Sequence, residues 1–280
     1  MQNYSDINKN ILTFFILITV LYLFLLGCAT SKLKRIEKDY REGMYQNVIQ
    51  SEIDCSDFSP ECFKIKFIRA DSYLEMADIK QAMFYSQEAV DRISVDISME
   101  DIYQLYILRT RILSKQVNVA DNLDKNVNIA EQLETDIKIA LRINSRLPSN
   151  NNYMEERDKL HMLLAETLID KMDRIYPEGF EELYQELIEV IEDFGENLSQ
   201  SGQRQYYVLQ ARLAYILPEI KKWMFKGSIR GEREKILNQL KNIYKEGITL
   251  RNLPVYQMDY ADRIDQFLSR VDSYMKQFIL

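Results

Sequence analysis

Turn-forming residues are scarce in this chain: its 280 residues include only 8 glycines and 5 prolines, well below usual shares of about 7% and 5%. So few breakers leave little scope for a fold of many short strands, and they favour long helices with short joints. Histidine is scarcer still. His161 is the only one, and it stands three and four residues before Leu164 and Ala165, at the edge of an apolar stripe. A packed structural role is expected there rather than general-base chemistry. The sequence contains no glycine-rich phosphate loop, no Gly-x-Ser-x-Gly elbow and no His/Cys metal spacing, so no enzymatic activity, cofactor or metal is expected. Basic surplus is missing too: 36 Lys and Arg stand against 43 Asp and Glu, a net charge of −7. That balance disfavours bulk nucleic-acid binding, which needs a basic surface to release phosphate counterions.

What the chain does have is helical periodicity between sparse breakers. A first hairpin pairs 31–42 with 45–55 across Gly43-Met44 and ends at Pro60; a second pairs 63–76 with 79–93. A third pairs 100–117 with 123–147 and stops at the Pro148–Asn152 run. The fourth joins 154–175 to 180–194, with Leu160, Leu164, Leu168, Met172 and Ile175 as one seam and Phe180, Leu183, Leu187, Ile191 and Phe194 as the facing one. A fifth pairs 203–225 with 233–246, and 256–279 forms a last helix. The expected class is all-α, about five hairpins with a C-terminal helix. Pro218 is the only proline inside an expected helix and predicts a kink.

Segments 29–62 and 63–96 each fit a 34-residue frame. In the first, Gly43, Tyr45 and Pro60 occupy the turn glycine, following aromatic and terminal proline; in the second, Ala70, Tyr73, Ala82 and Ala89 occupy small and aromatic packing positions. This pattern resembles the tetratricopeptide repeat, whose stacked hairpins are usually protein-docking scaffolds. The resemblance covers about a quarter of the chain. It implies a repeat region over 28–147, followed over 148–280 by degenerate hairpins and a capping helix.

The N-terminus carries one long run without a charged residue, Ile11 to Leu26, apolar but for Thr13 and Thr19, followed by Gly27 and Cys28. Sixteen residues rise about 24 Å as a helix, short of the ~30 Å hydrocarbon core. Leu25-Leu26-Gly27-Cys28 looks like the lipobox of a bacterial lipoprotein signal peptide, which implies removal of 1–27 and acylation of Cys28. Ala29 after the cysteine then favours the outer membrane, facing the periplasm. The weak charge of the first ten residues, where Asp6 offsets Lys9, and the basic Lys32, Lys34 and Arg35 beyond the run keep an alternative open: an uncleaved helix in the inner membrane.

If Cys28 is acylated, Cys55 and Cys62 remain as an even pair, seven residues apart. They are candidates for a disulfide in an oxidising compartment, the alternative being that Cys55 fills the small packing position that Ala89 fills 34 residues later. Charge is unevenly placed. From Glu178 to Glu196 there are eight acids and no Lys or Arg, the pattern of a solvated face. The stretch 221–235 is basic and aromatic, and Lys221, Lys222, Trp223, Phe225, Lys226 and Arg230 are its candidate partner-binding residues, against the alternative of Trp223 as ordinary core. Together these readings imply a lipid-anchored envelope adaptor that docks partner proteins. The alternative is an accessory lipoprotein of a transport system that presents a small or lipidic ligand; a closed apolar pore would favour it, and an open polar groove the adaptor.

Overall fold

The computed structural model of the protein describes residues 33–51, 55, 57–119, 123–148, 151–174, 180–193, 198–226, 230–254 and 261–279. These residues are all-helical, and successive helices pack in neighbouring pairs, a helical-hairpin repeat fold. In chain order the helices are α1 (residues 33–41), then α2 Tyr45–Gln50, α3 Pro60–Glu75, α4 Ile79–Val90, α5 Met99–Val119, α6 Leu123–Asn144, α7 Asn151–Arg174, α8 Phe180–Glu192, α9 Leu198–Lys226, α10 Arg230–Arg251 and α11 Ala261–Ile279. They group into two compact units, Met1–Val119 and Ala120–Leu280.

In the first unit the 34-residue frame is visible in the backbone itself. After α1, the Gly43 amide donates to the Tyr40 carbonyl (3.0 Å) and the Met44 amide to that of Asp39 (2.8 Å). After α3, Ala77 donates to Leu74 (3.0 Å) and Asp78 to Tyr73 (2.9 Å). Both are the paired bonds of a Schellman terminator, whose penultimate residue must turn left-handed. Gly43 (φ 73°) and Ala77 (φ 59°) take that conformation 34 positions apart, and α2 and α4 then start 34 positions apart. Glycine bears a positive φ without steric cost whereas alanine does not. Ala77 is exposed, so Ala77→Gly forfeits little packing. Chemical denaturation of this variant is expected to show a gain of about 0.5–1 kcal/mol; a loss would mean that the turn is held by something other than its backbone.

Two expected boundaries change. Pro60 does not end the first hairpin; it occupies the first turn of α3, where its missing N–H costs nothing, and the Ser59 hydroxyl caps that helix by accepting from the Cys62 amide at 3.1 Å. Helix α2 stops at Gln50 rather than near 55 because Ser51 is extended and its carbonyl accepts from the Arg69 guanidinium. The core joins Ala70, Leu74, Ala82, Leu108 and Ile112 from α3, α4 and α5, and Ile36, Val48, Ile65 and Ile68 from α1, α2 and α3. Helix α5 thus packs back on α3 and α4.

In the second unit α6 pairs with α7, so the proline- and asparagine-rich segment beginning at Pro148 joins two packed helices. Chain order continues through α7 on α8, α8 on α9, α9 on α10 and α10 on α11. Leu160, Leu164, Leu168 and Met172 on α7 are buried, as are Leu183, Leu187 and Ile191 on α8, which packs on α7, while Ile175 and Phe194 lie outside the described residues. Helix α10 runs through Gly247 rather than stopping at 246. A Cβ there would stand 2.7 Å from the Leu268 side chain, so the glycine lets α11 approach closely. Pro218 sits within the continuous α9, where it has no N–H to donate to the preceding turn.

Candidate functional site

The first unit contains a half-open groove of about 490 Å³ between α1, α3 and α5. Its floor is apolar: Phe63 and Ile68 are buried and Phe67 is partly exposed. Charged and polar side chains form the rim, with Glu37 and Arg41 on α1, Lys64 on α3, and Asp101 and Gln104 on α5. These residue types provide an apolar slot for one anchoring side chain, flanked by donors and acceptors able to orient a polypeptide.

Polar contacts hold the three walls together. The Tyr40 hydroxyl on α1 donates to the Asp71 carboxylate on α3. The Arg111 guanidinium on α5 donates to the other Asp71 oxygen at 3.2 Å and to Glu75 at 2.8 Å. Lys64 pairs with Glu37 at 2.8 Å. Asp71 is the buried centre of this network, where charge-assisted bonds count for more than in water. Burial, reinforced by the bond to the Asp71 carboxylate, raises the Tyr40 phenol above its ordinary range and keeps it a donor. Behind the groove, Lys66 pairs with Glu88 at 2.8 Å and lies 5.5 Å from the Tyr85 ring centre. That hydrogen bond, with burial opposing it, holds the Glu88 carboxyl below its ordinary range.

The sequence-derived candidates fare differently. Cys55 and Cys62 are disulfide-bonded, with Cα atoms 5.6 Å apart, and Cys55 also packs against the α1–α3 core. Cys28 and the apolar run 11–26 lie outside the described residues. Among the described residues no helix is long and apolar enough to cross a membrane. In the basic stretch, Lys221 and Lys222 are exposed. Trp223 is half-buried, stacked on Phe278 of α11 with ring centres 4.3 Å apart. Arg233 donates to the Phe278 carbonyl, from Nε at 2.8 Å, satisfying an acceptor that the helix end leaves open. Trp223 and Arg233 therefore clasp the end of α11. The side chains of Phe225, Lys226 and Arg230 lie outside the described set, so the six residues are not shown as one surface. Sequence reading missed the groove itself because it paired α5 with α6, which hid Asp101, Gln104 and Arg111 from α1 and α3.

His161 is buried in the second unit, its Nε2 4.0 Å from the Asp193 carboxylate. Burial, aided by the nearby Arg157 and opposed by Asp193, lowers its pKa from 6.5 to about 4. The unfolded chain then binds a proton that the folded unit refuses, so this residue's contribution is fully present above about pH 6.5 and is lost as pH falls towards 4. His161→Leu is expected to flatten the loss of thermal stability over that window. An unchanged slope would assign the acid sensitivity to the carboxylates alone.

A buried carboxylate in this unit is structural. Glu134 accepts from Lys138 at 2.6 Å and Lys171 at 2.9 Å; burial opposes its ionisation, but these bonds outweigh burial and hold the carboxyl below its ordinary range. Among the described residues no three His, Cys, Asp or Glu side chains converge as metal ligands. Neither protein-family models nor curated protein sequences match this chain.

Proposed function

We propose that the protein is a membrane-attached, non-enzymatic scaffold of the bacterial cell envelope, and that the groove between α1, α3 and α5 docks a segment of a partner protein. The groove carries the reading: it is half-open, with a partly exposed aromatic in its floor and a rim of both charge signs. Those features suit an extended or helical polypeptide better than a sealed lipidic cargo. The disulfide fits an oxidising compartment. The sequence at Leu25–Cys28 supplies the attachment, by acylation of Cys28 or by the uncleaved run.

A photo-crosslinking residue at Phe67, compared with one at the exposed Lys80 of α4, tests this in intact cells. Phe67 is expected to capture a discrete protein that Lys80 does not, and Gln104→Arg, which narrows the rim, should reduce the yield. Equal capture from both positions would exclude the groove as the docking site, and recovery of lipid rather than protein from Phe67 would favour a transport accessory.

A further inference from the structure

Helix α1 presents two unlike faces. At 100° per residue, Leu33, Ile36, Glu37 and Tyr40 fall on the side that meets α3. Ile36 is buried, Leu33 packs against the same core, Glu37 pairs with Lys64, and Tyr40 bonds Asp71. The opposite arc holds Lys34, Arg35 and Lys38, all exposed, while Arg41 stands at its border on the groove rim. Glu42 is the acid within that arc; it lies 3.9 Å from Lys38 and offsets one of the positive charges. Residues 32–42 carry five basic against three acidic residues in a chain whose balance is −7.

Position gives this arc a partner. Leu33 lies only five positions after Cys28, and five positions span at most about 18 Å. If Cys28 is acylated, the start of α1 cannot leave the headgroup layer by more than that distance, and an uncleaved run ending at Leu26 adds only two residues to the tether. We propose that the basic arc of α1 docks on anionic phospholipid headgroups of the membrane that carries the chain. The inference rests on the membrane attachment argued above, in either form, and adds what attachment alone does not supply: a fixed orientation. Attachment at a single point does not by itself fix how the first unit faces the membrane. An arc of three cations held against an anionic leaflet instead sets the far side of α1, with Glu37 and Tyr40 of the groove, away from the lipid.

Lysine acetylation footprinting tests the docking on the full-length chain, purified from membranes and reconstituted into lipid nanodiscs. One set of discs is phosphatidylcholine alone, the other phosphatidylcholine mixed with phosphatidylglycerol. Lys34 and Lys38 are expected to be modified about five-fold more slowly in the anionic discs, the factor that one basic side chain's attraction to such a surface supplies. Exposed Lys80 on α4 should react equally in both, and high salt should abolish the difference. Equal rates at Lys34 and Lys38 in the two disc types, with the chain incorporated in both, would overturn the docking and leave attachment standing. Failure of the full-length chain to enter either disc would remove the attachment and the docking with it. Protection that arises only when an acidic protein is added would overturn the lipid assignment in favour of a protein partner.

Discussion

Ala82→Arg is expected to unfold the first unit under conditions where the wild-type chain is folded. Ala82 is wholly buried on α4, in a cluster with Ala70 and Leu74 of α3 and Leu108 and Ile112 of α5. An arginine there needs volume that a close-packed crossing does not have, and its guanidinium would lie among aliphatic side chains without an acceptor. Overpacking costs about 1–3 kcal/mol and an unpaired buried charge more, so a loss of at least 4 kcal/mol is expected, comparable with the whole stability of many domains. Denaturant melts followed by circular dichroism read the effect. Lys80→Arg, on an exposed position of the same helix, places the same guanidinium in solvent and should stay within about 0.5 kcal/mol. A near wild-type midpoint for Ala82→Arg would remove the 34-residue packing frame.

Cys28→Ser should give the largest cellular effect: an unprocessed chain that retains residues 1–27 and carries no acyl group. Serine keeps the size of the side chain but not the thiolate that accepts the lipid, so processing stops before cleavage. Mass spectrometry of the wild-type and variant N-terminal peptides distinguishes the outcomes. Acylated Cys28 at a new N-terminus in the wild type, absent from the variant, is the expected result. A wild-type chain that keeps residues 1–27 with an unmodified Cys28 would replace the lipoprotein reading with a membrane-spanning anchor, and the sixteen-residue apolar run would then need its flanks to complete the span.

Local chemistry was legible in the sequence wherever it acts between near neighbours. The seam Leu160, Leu164, Leu168 and Met172 follows from helical spacing alone, because residues three and four apart share a face whatever lies opposite. Gly43 announced a left-handed turn. Its counterpart at Ala77 did not, since alanine is not the residue that conformation favours, yet the frame placed a turn there. Pro60 was read as a stop when it is a start: proline marks a helix boundary but not which side of it is helical. The N-cap bond that the Cys62 amide donates to Ser59 is what decides.

The sequence by itself determined the helical class, most helix positions and the 34-residue offset of the first two hairpins, because each depends on interactions within a turn or a few residues of chain. Tertiary structure alone decided which faces meet. It packed α5 on α3 and α4, and so brought Arg111 to an Asp71 lying 40 positions away. It stacked Trp223 on Phe278, so that a residue singled out for docking also clasps α11. It also formed the groove whose walls come from α1, α3 and α5. Such pairings depend on the shape and charge of whole surfaces, where many partners satisfy the same local pattern and only simultaneous packing selects one.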